Sequence, residues 1–254
     1  MTVQILPGVA ALYILVFARV GTIVMLMPGI GDAGVPVRVR LVVALLLTLI
    51  LYPSSAPLYP ANLVANTPRL LTFLIGELAV GLFLGLTLQL IMSASQVAGT
   101  TIANQLGLAF AMSVDPTQGQ QGAILSNFIS VLAVTLIFVG DLHHIALRGV
   151  ADSFVLFRPG EWMPMGDFAE MALKLISEAF VVGVKVSAPF LVFGMVFYFA
   201  FGIVAKLMPQ FQVFFISMPA NILIGFVMLF VLIGTIMAWY MEHVAQGFGR
   251  LLAN

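Results

Sequence analysis

Six stretches of apolar residues, 9–27, 41–51, 70–106, 123–139, 168–207 and 213–240, take up most of the 254-residue chain. A helix crosses the hydrocarbon of a bilayer in about 20 mostly apolar residues. Inside that layer every backbone N–H and C=O must be satisfied within the segment. Stretches of this length therefore specify helices, and the charge content says where they sit. Only 8% of residues are charged, ten basic and ten acidic, against about 25% in a soluble domain. The sequence predicts an all-α integral membrane protein with about six hydrophobic helical segments, long and partly broken.

The stretches are unequal. The first stops at Pro28-Gly29, a helix-ending pair, and has no basic region before it, so it is expected to stay as an anchor. The second is short and ends among Pro53, Pro57, Pro60 and Pro68. The third would measure about 55 Å as a helix against a hydrocarbon layer of about 30 Å, so it must tilt, break or leave the membrane. The fifth is also overlong and is interrupted by Pro189. Between the fourth and fifth lies a segment in which Asp141, His144, Arg148 and Asp152 recur at helical spacing, an amphipathic pattern. No linker or repeat divides the chain, which reads as a single domain, 1–254. Positive charges fall four against three on the two sides, Arg69, Arg148, Arg158 and Arg250 against Arg38, Arg40 and Lys206, which fixes no orientation.

Composition excludes several chemistries. There is no cysteine, and three histidines offer little to a metal cluster. His143 and His144 are adjacent, so helical geometry points them apart, and no third ligand stands at metal spacing. No metal and no cofactor are expected. Zero net charge without basic runs argues against nucleic acid. Phosphate-binding, dinucleotide, hydrolase and zincin motifs are absent, so catalysis is not expected.

Ionisable residues inside apolar stretches mark function or tight pairing. They are Arg19, Glu77, Lys174, Glu178 and Lys185. The last three share one helical face, and Glu77 has no sequence-local partner. Read alone, these charges leave open an ion-coupled secondary transporter using Glu77 or the Lys174/Glu178/Lys185 face. A second pattern is uncharged: Ser93, Gln96, Thr100 and Asn104 recur three or four apart and form a polar stripe on one helix face. Phe110 and Met112 stand where that stripe ends, just before Ser113-Val-Asp-Pro116, as an apolar tip beside polar walls. Gly81 and Gly85 have the spacing that lets two helices approach closely.

Phe17-Ala-Arg-Val-Gly21, Pro28-Gly-Ile-Gly31 and Val35-Pro-Val-Arg-Val-Arg-Leu41 resemble the N-terminal signature of the FliR family, the T component of type III secretion export gates. Asp115-Pro-Thr-Gln-Gly119, Asp141-Leu-His-His144 with Asp152-Ser-Phe154, and Ala188-Pro-Phe190 with Met208-Pro-Gln210 and Val213 to Pro219 agree in order and distance. The chain departs from the family at Leu142, where glycine is common, and at Gln212, where asparagine is.

The resemblance implies a non-enzymatic core subunit of the flagellar export gate in the bacterial inner membrane, within the flagellar basal body. Its expected partners are FliP-like and FliQ-like subunits, an FlhB-like protein, membrane lipid and the unfolded flagellar proteins that are exported. The chain would itself resemble a FliP-like part joined to a FliQ-like part. The family's plug loop maps onto residues 107–121, with Gly107, Phe110, Met112, Asp115, Pro116, Gln118 and Gly119 as its residues, and the polar stripe becomes candidate pore lining.

Overall fold

The computed structural model describes residues 5–60, 63, 66–108, 121–161, 165–208, 210 and 213–253. Its helices are α1 (Ile5–Leu26), α2 (Val37–Ser55), α3 (Thr67–Gln105), α4 (Gln121–Val139), α5 (Leu142–Leu156), α6 (Met165–Leu207) and α7 (Val213–Ala253), and a 3-10 turn, Ala56–Leu58, follows α2. Among the described residues there is no strand. Each of the six apolar stretches lies on a helix. Five helices are long and apolar enough to cross a membrane, and the α4–α5 pair taken as one broken span makes a sixth.

The overlong stretches do not break. α3 keeps 39 residues in one helix, and α6 keeps 43. The expected interruption at Pro189 is thereby corrected, since α6 runs through it. A proline removes one i→i−4 hydrogen bond, whereas leaving the helix in apolar surroundings would orphan several backbone groups at once. α2 likewise extends beyond its clean apolar part, from Val37 through Pro53 to Ser55. Arg40 folds back onto the preceding connector, its Nη2 donating to the Asp32 carbonyl at 2.6 Å and its Nε to that of Val35 at 2.9 Å.

The chain forms two compact units. The first comprises Met1–Ile91, Phe138–Leu175 and Ala245–Asn254. Its core is built on α1, where Leu15, Val16, Val20, Ile23 and Val24 are all buried, and is joined by Leu84, Leu88, Val150, Phe154 and Phe248. α5 is amphipathic as its spacing predicted: Ala146, Val150, Ser153 and Phe154 face inward while Arg148 is exposed. The Gly81/Gly85 spacing brings α3 against α1. A Cβ placed on Gly81 would lie 2.7 Å from the Arg19 carbonyl oxygen, and one on Gly85 would lie 2.6 Å from Leu26 Cβ.

The second unit comprises Met92–Ile137 and Ile176–Val244. Ile102, Ala103, Leu106, Leu125, Ile129, Phe190, Leu229 and Met237 form its core. Hydroxyls and one amide lock its helices: Ser95 and Ser130 meet at 3.1 Å, the Tyr240 hydroxyl donates to the Met92 carbonyl at 3.2 Å, and Asn221 Nδ2 donates to the Gln105 carbonyl at 2.9 Å. The last bond satisfies a carbonyl that the end of α3 leaves free. Outward, the helices stay apolar. Met195, Phe199 and Phe230 are each more than 70% exposed, and only 17% of the most apolar window of α6 is buried within the chain.

The helix contact at Gly81 is testable against a glycine with room. A Cβ at Gly76 meets nothing within 4 Å, so Gly76→Ala is expected to raise stability by about 0.5–1 kcal/mol through helix propensity. Gly81→Ala is expected to lower it by about 1–3 kcal/mol through overpacking. Thermal unfolding of the two variants in detergent, followed by circular dichroism, reads the opposite signs.

Candidate functional site

Arg19 and Glu77 are both about 1% exposed, in a core that is otherwise almost wholly apolar. They lie 58 residues apart, and the structure joins them: Arg19 Nε donates to Glu77 Oε2. The remaining guanidinium nitrogens are also used. Nη1 donates to the Ser153 carbonyl at 2.7 Å and Nη2 to the Phe157 carbonyl at 2.9 Å. Both acceptors sit at the C-terminal end of α5, where the helix dipole favours a cation; the Ser153 carbonyl also accepts the Phe157 N–H at 2.9 Å. The guanidinium carbon also lies 4.3 Å from the centre of the Phe154 ring, a cation–π contact. Arg19 therefore ties α1, α3 and the end of α5 to one side chain, using the planar fork that lysine lacks.

Tyr59, just beyond the 3-10 turn, is buried beside this pair. Burial first, and the Glu77 carboxylate second, push its pKa far above the usual phenol range, so its hydroxyl keeps its proton. That hydroxyl makes no hydrogen bond of good geometry. Phe73, Phe83, Leu86 and Phe168 line the space beside the pair, and such apolar walls strengthen an ion pair while making an unpaired charge costly.

The other ionisable candidates fall elsewhere. Within the chain alone, Lys174 and Lys185 are exposed on α6 and Glu178 is half-buried. Their helical spacing puts them on one face, but that face is not covered by this chain. The polar stripe keeps its register: Ser93 is half-buried, and Gln96, Thr100 and Asn104 are exposed along α3. Thr100 turns its hydroxyl back to the carbonyls of Gln96 and Val97 at 2.9 and 3.0 Å. The side-chain amides of Gln96 and Asn104 are then the groups this face offers. Gly107 ends α3 in the left-handed conformation, φ 74°, the usual way for a helix to stop on glycine. Phe110, Met112, Asp115, Pro116, Gln118 and Gly119 lie outside the described residues.

Sequence reasoning missed two constellations. The Arg19–Glu77 pair carries no local signal; two lone opposite charges in separate apolar stretches were the one hint, since neither is affordable alone. The second is at the start of α5, where Asp141, His143 and His144 each bring a potential metal-binding atom within 4.8 Å of the others. The expectation that the two histidines diverge and lack a third ligand is corrected: their ring centroids are 4.1 Å apart, and Asp141 is the third group.

Removing either partner of the buried pair leaves an uncompensated charge, which costs about 3–5 kcal/mol. Arg19→Met and Glu77→Leu are each expected to destabilise by an amount of that order, and the double variant Arg19→Met/Glu77→Leu by clearly less than the sum. A double-mutant cycle on thermal unfolding in detergent measures the coupling.

The chain matches the model of the bacterial export proteins, family 1, over residues 10–247. It is 39% identical to the flagellar biosynthetic protein FliR of Caulobacter vibrioides over 230 residues, which cover 89% of this chain and 90% of that protein. It is 31% identical to FliR of Bacillus subtilis, covering 88% and 86% of the two chains, and 29% identical to FliR of Escherichia coli, covering 96% and 92%. Family membership of this kind implies association with other components of an export apparatus. With helices fit to cross a membrane and similarity along nearly its whole length, the chain belongs to the FliR family of bacterial export proteins.

Proposed function

We propose that this chain is a core subunit of the flagellar type III protein export gate in the bacterial inner membrane, and that it works without catalysis. The observation that carries the reading is the alignment with Caulobacter FliR over nine-tenths of both chains, at an identity of 39%. In this reading FliP-like and FliQ-like subunits cover the apolar faces that α6 and α7 leave exposed, an FlhB-like protein adjoins them, and lipid covers the rest. The exported cargo is unfolded flagellar protein.

The polar face of α3 supports a place beside the conduit. An amide facing hydrocarbon costs several kcal/mol (roughly 4–8 on transfer to cyclohexane), so exposed Gln96 and Asn104 belong against water or a protein neighbour. Uncharged groups suit a path that must admit many sequences and hold none, the enter-but-leave condition of channels. Residues 107–121 then form the plug, with Phe110 and Met112 as its apolar obstruction and Asp115-Pro116 shaping its turn.

The transporter alternative has no support. Glu77 is occupied by Arg19, which leaves no free carboxylate there for a coupling ion, and Lys174 and Lys185 are not buried in this chain.

Mild-detergent purification of the tagged chain from cells that hold all partners is expected to bring FliP-like and FliQ-like proteins with it, identified by mass spectrometry. A lone protein or simple homodimer would defeat the reading. Cysteines at positions 96, 100 and 104 are expected to react with small aqueous thiol reagents when the gate is open. Deleting residues 107–112 is expected to make the assembled gate leak ions, and unchanged conductance in an assembled mutant would remove the plug assignment.

A further inference from the structure

We propose that Asp141, His143 and His144 form a binding site for a divalent transition metal of the zinc class, at the break between α4 and α5. One donor atom from each residue lies within 4.8 Å of the other two. His144 Nδ1 stands 3.6 Å from Asp141 Oδ1. Two ligands about 2.0–2.2 Å from one zinc ion are roughly 3.2–3.6 Å apart, so this spacing already accommodates a shared ion. The remaining gap closes by side-chain rotation.

The ordinary explanation of an aspartate at this place is helix capping, and it fails here. Asp141 occupies the N-cap of α5, yet its side chain makes no capping hydrogen bond, whereas an N-cap carboxylate normally accepts from a backbone N–H in the first turn. Its backbone is left-handed, φ 58°, the one such non-glycine residue among those described. The carboxylate is instead held near His144.

The histidines are arranged as ligands would be. Their rings lie 4.1 Å apart, centroid to centroid, so both imidazoles stand on the same side of the first turn of α5. Phe138 stacks on His143 at 5.0 Å and steadies its ring. The Nδ1 atom of His143 is buried without a hydrogen-bond partner among the described residues, a cost that a bond to an ion would remove. His144 and Asp141 have side chains 69% and 76% exposed, which gives an ion a path from water.

Two imidazole nitrogens and one carboxylate oxygen, with water completing the shell, suit zinc, nickel or copper over magnesium or calcium. The ion would cross-link the first turn of α5 to the residue that ends the break, and so hold Asp141 in its left-handed backbone. This is a structural role, independent of the export reading.

The test uses the full-length chain, purified in mild detergent through a tag without histidine. Titration with zinc in competition with a chelating dye is expected to show about one equivalent per chain that Asp141→Asn, His143→Gln and His144→Gln each weaken at least about tenfold. His243→Gln is expected to leave it unchanged. Asparagine tolerates the left-handed conformation, and His144 is exposed, so these variants keep the fold, which an unaltered elution profile checks. Cobalt in place of zinc is expected to give visible bands that are lost in His144→Gln. Binding equal to that of the His143→Gln/His144→Gln double variant, or no binding at micromolar zinc, would overturn the proposal.

Discussion

The Arg19–Glu77 pair is the interaction on which the first unit depends. Two charges taken out of water must find each other or pay several kcal/mol apiece, and here they do so across 58 residues of chain. The guanidinium is then spent completely: one nitrogen on the carboxylate, two on carbonyls at the end of α5, its face on Phe154. Together the contacts require three helices to be in place. α1 supplies the cation, α3 the anion and α5 its C-terminal carbonyls, so an error in the position of any of the three strands a charge. Gly81 lets the backbones of α1 and α3 come close enough at the Arg19 carbonyl itself for the pair to close.

The outward surfaces follow a different rule. α6 and α7 present Met195, Phe199 and Phe230, while α3 presents Gln96, Thr100 and Asn104. Hydrocarbon can cover the first set at no cost. It cannot cover the second, because an amide in lipid has no hydrogen-bond partner. The two kinds of surface therefore need different neighbours, and a chain that exposes both is one piece of a larger structure. This is the property expected of a component of an export apparatus, the family to which the chain belongs.

Much of this was legible in the residues. Apolar run length located all six helical stretches, since nothing but a helix satisfies backbone groups in a membrane. The three- and four-residue spacing of Ser93, Gln96, Thr100 and Asn104 placed them on one face, and Gly81/Gly85 foretold a close helix contact. What failed were inferences that took local chemistry as decisive. Pro189 was read as an interruption, but a helix with dozens of other backbone bonds absorbs the loss of one. Adjacent residues on a helix leave the backbone in different directions, yet the side chains of His143 and His144 bring their rings to 4.1 Å, a matter of side-chain conformation that spacing alone does not fix. The Arg19–Glu77 partnership was invisible for the opposite reason, being purely a product of tertiary packing.

The division between charged and uncharged polar groups is itself informative. Within the first unit the costly charges are buried and neutralised, and they act as fixed ties. Along α3 in the second unit, the groups left facing outward are amides and hydroxyls. An outward charge on that face would bind oppositely charged cargo and repel the rest, since unit charges 4 Å apart interact by about 4 kcal/mol even near a protein surface. Neutral amides offer hydrogen bonds that water also offers, so a passing chain exchanges one for the other at little net gain. In the proposed gate this is the difference between a wall that guides any unfolded polypeptide and one that stalls on some. The same exchange explains why such a face costs the free chain little in water yet cannot be left against lipid.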